Sequence, residues 1–208
     1  MRIRNWVILT LACTPMFASP VILNPGFELG TAPGSFLTVS AGNPDLTNWT
    51  VTGGGIDYIG SYWQPSEGSR SVDLAGDAPG GVSQLVGGFT IGGYYTLYFD
   101  MSGNPDGGSV IKNLTLGVTG ESNQNFVFDT TGHSHGSMGW AQNSYSFYAT
   151  GTDLTISFAF ADSGPWGAAL DNISITEDLS GLQSVPEPAS MALVGLGLAA
   201  LGLVRRRR

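Results

Sequence analysis

The 208-residue sequence predicts an all-β protein whose central part is a two-sheet antiparallel sandwich of the jelly-roll kind. Short runs rich in Val, Ile, Thr, Tyr and Phe are punctuated by glycine, 31 in all, and proline, 11. That is the pattern of strands separated by turns. Several runs alternate apolar and polar residues with period 2, so each has one buried face. No comparable helical period runs between Ser19 and Ser184.

The chain opens with a basic segment, Met1-Arg2-Ile3-Arg4-Asn5, followed by an apolar stretch from Trp6 to Phe17 that Cys13, Thr14 and Pro15 interrupt. This reads as a secretory signal peptide over residues 1–18, with Ala18 before the cut. Leu11-Ala12-Cys13 offers a lipidated alternative, against which Thr10 stands where an aliphatic residue belongs. Residues 19–178 are long enough for one domain with its own core.

Its clearest strands are those in which Leu114, Leu116 and Val118, or Leu154, Ile156, Phe158 and Phe160, alternate with small or polar residues. Tyr95, Leu97 and Phe99 do the same within Tyr94 to Asp100, as do Tyr145, Phe147 and Ala149. Further strands are expected at Val21 to Leu23, Phe36 to Val39, Trp49 to Val51, Ile56 to Ile59, Ser71 to Leu74, Val82 to Val86, Phe126 to Asp129 and Ile173 to Thr176. Trp49, at the start of an alternating run, reads as core.

After a linker at 179–185, residues 186–208 form a separate unit. Ala189 to Val204 carries no charge and reads as a transmembrane helix. At 1.5 Å per residue its roughly 16 residues reach about 24 Å, short of the roughly 20 residues that cross comfortably, a deficit that arginine snorkelling covers. Pro186 and Pro188 suit the approach to a helix and its first turn. Arg205, Arg206, Arg207 and Arg208 keep their end in the cytoplasm and leave the domain outside.

Both terminal segments distort the whole-chain composition. Six of the eight basic residues lie in them, so the exported part as far as Glu187 keeps Arg70 and Lys112 against sixteen acidic residues, a net of −14. Such a surface repels nucleic acid and anionic membrane, and acidic polysaccharide too unless divalent cations bridge the two. The one cysteine is Cys13, so the mature domain has no disulfide and no thiol nucleophile.

Pro186-Glu187-Pro188, a short apolar helix and a terminal arginine cluster together resemble the PEP-CTERM sorting signal of Gram-negative bacteria that make extracellular polysaccharide. The resemblance covers the last 24 residues or so. It implies export through the inner membrane, a transient anchor there, and processing near Pro186, Glu187 and Pro188 by the membrane protease exosortase, with delivery to the cell surface or extracellular matrix.

A second resemblance spans Val21 to Thr176. Asn24-Pro25-Gly26-Phe27-Glu28 after the first run, Leu170-Asp171-Asn172-Ile173-Ser174-Ile175 near the end, and Trp49 between them resemble the galactose-binding-like jelly roll of carbohydrate-binding modules. More narrowly, Asp57-Tyr58-Ile59-Gly60, Trp63 and Gly68 to Gly76 resemble the bacterial choice-of-anchor C domain, which is itself similar to a family of plant cell-wall proteins. That domain brings no assigned chemistry. The module resemblance implies a structural Ca2+ held by Glu28 and Asp171, with Glu67 as a third ligand. Calcium takes 6 to 8 oxygen ligands, many from backbone carbonyls. On the bland reading, Glu28 caps a turn and Asp171 accepts backbone hydrogen bonds.

Tyr58, Trp63, Trp140 and Trp166 sit beside Gly, Ser, Pro or polar residues and are expected as platforms for sugar rings, although large aromatics in strand-rich proteins are usually packed. His133-Ser134-His135 reads as an exposed loop rather than a metal site. Asp100 to Gly108 resembles a calcium loop in composition only. Carboxylate pairs would suit a glycosidase, but the cast that a lyase or a serine triad requires is missing. The sequence therefore points to a noncatalytic exported protein that binds extracellular polysaccharide, with a structural matrix protein and a glycan-acting hydrolase as alternatives.

Overall fold

The computed structural model describes residues 19–178. The signal peptide, the linker and the apolar tail helix expected from the sequence all lie outside the described residues. Strands β1 (Phe36–Val39), β3 (Ile56–Ile59), β4 (Ser71–Asp73), β6 (Tyr94–Gly103), β9 (Ala141–Tyr148) and β11 (Ala168–Glu177) make one sheet, in the order β1-β3-β4-β11-β6-β9. The other sheet runs β2-β5-β10-β7-β8, from β2 (Thr50–Gly53), β5 (Gly80–Gly87), β7 (Ile111–Val118), β8 (Gln124–Asp129) and β10 (Asp153–Phe160). All the pairings are antiparallel.

Period 2 builds the core. In β10 the buried residues are Leu154, Ile156, Phe158 and Phe160, and in β6 Tyr95, Leu97, Phe99 and Met101. The two inner faces meet through rings: Phe99 of β6 lies edge-on to Phe158 of β10 at 5.1 Å, and Trp49 reaches Phe158 at 6.5 Å.

One expected strand is absent. Val21 to Leu23 has no strand partner; instead, the Gln84 side chain takes both backbone groups of Leu23, each at 2.8 Å. A buried glutamine with two donors and an acceptor satisfies a backbone that a neighbouring strand would otherwise pair.

The two ends of the described domain are joined just after this segment. Asn24 accepts from the Leu29 amide and donates to Leu29 and Thr47 carbonyls, while Trp49 Nε1 donates to the Asn24 carbonyl at 2.9 Å. Ile173 of β11 donates to the Pro25 carbonyl. Phe27 is fully buried with φ 58°, a strained backbone for a bulky residue. The turn is held in that shape by its ring against Trp49, 5.4 Å away, and by the Tyr58 hydroxyl on its carbonyl.

The outer face of the six-stranded sheet is partly roofed. Ile59 and Ala169 project from that face and pack with Trp63 and Met138 from two loops, Tyr62 and Trp140 closing the rim. Gln64 N bonds to the His135 carbonyl at 2.8 Å, and Ser102 Oγ to the Met138 carbonyl at 2.6 Å. Beneath the roof, Ser71, Asp73, Ser102 and Asp171 are fully buried although they sit on the outward register.

Candidate functional site

Glu28 and Asp171 meet the same turn from opposite ends of the chain. Glu28 accepts from the Ser69 amide, the Ser69 hydroxyl and the Arg70 amide, at 2.7 to 2.9 Å. Burial alone would raise its pKa, but those bonds and the Arg70 charge hold it below the usual value. Asp171 accepts from the amides of Ser66, Glu67 and Asn172, and its burial pushes the carboxyl up to about 7. Gly68, at φ 61°, lies so close to the Glu28 carboxylate that a Cβ would collide with it. The clasp is therefore closed by backbone amides across Ser66 to Arg70. Among the described residues no three His, Cys, Asp or Glu side chains are grouped as a metal cage. Glu67 points instead toward Gly26.

The four expected platforms divide. Tyr58 is fully buried: Asp57 and Ile59 take the outward register of β3, so Tyr58 points into the sandwich. Its hydroxyl donates to the Phe27 carbonyl and accepts from Arg70, and it offers a sugar no surface. Trp63 is 4 % exposed. The roof covers its face, with Nε1 bonded to Ser71 Oγ at 2.8 Å, and it turns only an edge outward. Trp140 is half-buried in the rim and spends Nε1 on the Gln64 carbonyl. Trp166 is 40 % exposed, the most open of the four rings.

Around Trp166 the structure assembles a trough of about 250 Å³. Trp166, Pro165, Phe36 and Tyr62 line it, together with the buried Trp63 and Ile59. Phe36 is 46 % exposed, and its ring lies 5.2 Å from that of Tyr62. Thr38, Asp57, Asp77, Asn104 and Asp106 supply the polar lining. Burial and nearby Asp77 raise Asp57, against the Thr38 hydroxyl that donates to it. Tyr62 donates to Asp106 at 2.7 Å, and that bond, more than burial, raises the phenol. The other Asp106 oxygen faces His135 Nε2 at 2.7 Å, and the His135 ring lies 4.4 Å from Tyr62. A shallower depression over Pro105, Asp106 and the 133–136 loop adjoins the trough through Asp106. His133 packs on Phe128 instead, 5.3 Å between centroids, so the two histidines do different work.

No cation lines this trough. Arg70 and Lys112 are the basic residues between positions 19 and 178, and both are already bonded. Arg70 engages Tyr58 and the Gly30 carbonyl. Lys112 is buried on the inward register of β7, in phase with Leu114, Leu116 and Val118. Burial lowers its pKa against the pull of Asp73, Asp162 and Asp106, and its ammonium donates to the Gly107 and Trp166 carbonyls at 2.7 and 2.8 Å.

Phe36, Tyr62, Asp57, Asp77, Asn104 and Asp106 carry no mark of this trough in the sequence, because four separate segments bring them together. The inward phase of Lys112 with the apolar residues of its strand was a legible sign of burial.

The fold and the site define an antiparallel β-sandwich domain with an open aromatic trough rimmed by carboxylates. The chain belongs to the family described as "Protein of unknown function (DUF642)", whose profile matches residues 20–176. Residues 184–208 match the PEP-CTERM protein-sorting motif, which marks an exported protein sorted to the cell surface. Halomucin of Haloquadratum walsbyi is 32% identical over 151 residues, covering 69% of this chain but 2% of its own length, so the chain spans a small fraction of that relative. Among solved structures, the xylan-binding CBM22-1 domain from Paenibacillus barcinonensis has TM-score 0.48 and 16% identity, over 78% of this chain and 97% of its own. A family 61 module in complex with β-1,4-galactotriose has TM-score 0.45 and 17% identity, over 77% and 100%. Neither likeness assigns a ligand to this chain.

Proposed function

We propose that the domain is a noncatalytic binder of neutral polysaccharide, a choice-of-anchor C type module displayed in an exopolysaccharide or biofilm matrix after exosortase processing. The observation that carries this is the exposed Trp166 facing a trough with Phe36 and Tyr62 and a lining of hydrogen-bonding oxygens. Aromatic faces suit the apolar faces of sugar rings, and a few placed polar groups suit their hydroxyls. The lack of a free cation there disfavours uronates, whose carboxylates would meet Asp57, Asp77 and Asp106.

Affinity electrophoresis of the 19–178 domain through gels containing galactan, glucan or polyuronate tests this reading. Retardation by a neutral polymer and none by calcium-free polyuronate is expected. Trp166→Ala is expected to weaken the retardation at least about tenfold. No retardation by any neutral polymer returns the domain to a structural matrix role, and the release of reducing ends makes it a hydrolase.

Calcium belongs to the same proposal as a stabiliser. Glu28 and Asp171, with Glu67 beside them, would supply carboxylate oxygens that have spare lone pairs, and backbone carbonyls would complete the shell. An ion there would neutralise a buried Asp171. At one hundred times its dissociation constant it adds about 2.7 kcal/mol, so calcium is expected to raise the unfolding temperature by several degrees over a chelator control. Identical melting curves would remove the ion from the clasp.

A further inference from the structure

Trp166 stands on a loop, and an exposed ring on a loop makes a poor platform unless something holds it. Three buried polar side chains converge behind it from three strands or their ends. Asp73, on β4, accepts from Gly167 N at 2.9 Å, from Ala75 N at 3.0 Å and from Asn104 Nδ2 at 2.8 Å. The Asn104 amide donates to the Gly167 carbonyl at 2.9 Å, and Asn104 Oδ1 accepts from Asp106 N. Lys112 donates to the carbonyls of Trp166 and Gly107. The backbone of Trp166-Gly167 is thus gripped at both carbonyls and at the Gly167 amide, by groups that are each less than a tenth exposed.

The ring is fixed as well. A Cβ on Gly107 would come within 2.9 Å of Trp166 Cδ2 and Cε2, so the indole lies on bare glycine backbone. The Lys112 stem reaches the site past Gly103, whose missing Cβ leaves it room.

We propose that the buried Asp73, Asn104 and Lys112 cluster positions Trp166 for contact with polysaccharide, making Lys112 a positioning residue of the binding trough. Burying a lysine without a carboxylate partner in hydrogen-bond contact is costly, and a loop far from any ligand gains little from that cost. Here the ammonium ties the 104–108 loop, which carries Asn104 and Asp106 of the lining, to the loop that carries Trp166. Platform and polar lining are thereby held at a set spacing, as preorganised binding requires. This inference rests on the polysaccharide-binding reading, but it makes a claim of its own about the ring.

The test uses the full chain in detergent, labelled with fluorotryptophan and followed by fluorine NMR, with the Trp166 signal assigned from Trp166→Phe. Lys112→Met removes the ammonium at similar length, and Gly107→Ala pushes a methyl under the ring while leaving the side chains of Asp73, Asn104 and Lys112 in place. In both variants the Trp166 signal is expected to shift and broaden while those of Trp49 and Trp63 stay put. Retardation in galactan or glucan gels is expected to fall about tenfold. An unmoved Trp166 signal in both variants overturns the positioning claim whatever the gels show. If the signal moves but Trp166→Ala leaves retardation intact, the binding reading fails and the positioning of the ring stands.

Discussion

Raising the pH from 5 to 8 destabilises the domain by several kcal/mol, at about 1.36 kcal/mol per pH unit for each raised carboxyl, because of Asp171, whose burial lifts it to about 7, and above all because of Asp73. Burial pushes its carboxyl from an ordinary value up to about 8, against the hydrogen bonds from Asn104, Ala75 and Gly167. Well below pH 4 folded and unfolded chains both hold this proton. Between about pH 4 and 8 the folded chain keeps it while the unfolded chain releases it, so each unit of pH favours unfolding until the loss levels off above the folded value. Glu28 works in the opposite sense: its lowered pKa adds stability that is lost as the solution becomes acid. The unfolding temperature of residues 19–178 should therefore fall steadily from pH 5 to 8. Asp73→Asn should remove a large part of the decline on the alkaline side, leaving the parts due to Asp171, raised to about 7, and Asp57, which burial also raises. Unfolding temperatures that hold steady or climb from pH 5 to 8 in the unsubstituted domain would refute the assignment.

Asp171→Ala is expected to cost about 3–5 kcal/mol, since it strips the acceptor from three backbone amides, at Ser66, Glu67 and Asn172. The three bonds are part-buried, so each donor left unsatisfied costs near the lower end of about 1–3 kcal/mol. For a domain of this size about 2–4 °C of unfolding temperature is lost per kcal/mol, so a fall of about 10 °C should appear in thermal unfolding. Asp171→Asn, which keeps one acceptor oxygen, should fall between. A drop within the error of the melt would mean that the 66–70 turn is held elsewhere, and any calcium-dependent gain should vanish in the same variants.

The strands were the legible part. Alternation placed Leu154 to Phe160, Leu114 to Val118 and Tyr95 to Phe99 correctly, because side-chain direction in a strand is a local property with period 2. The same rule carried to Ile56-Asp57-Tyr58-Ile59 puts Tyr58 in the core, and the small polar neighbours that suggested exposure have no bearing on which way it points. Val21 to Leu23 looked like a strand and is not one, since composition cannot reveal that the Gln84 side chain, rather than another strand, pairs Leu23.

The aromatic face was harder for a different reason. Trp63 and Trp166 have similar neighbours in sequence. Trp63 is buried because the loops around residues 60–70 and 131–140 roof the outer face of the six-stranded sheet, whereas Trp166 stays at the trough because buried polar groups hold its backbone from behind.

What the sequence by itself determined was the sandwich, the acidic exported domain and the sorting tail, all of which rest on local period, composition or contiguous motif. Only the tertiary structure decided which rings face solvent, that Glu28 and Asp171 grip one turn through its amides, and that Lys112 lies buried behind Trp166. These depend on residues far apart in the chain meeting across β1, β3, β6, β7 and β11, and on loops closing over one sheet face. Local period marks Lys112 and Tyr58 as inward-facing, but no local pattern records what they meet there.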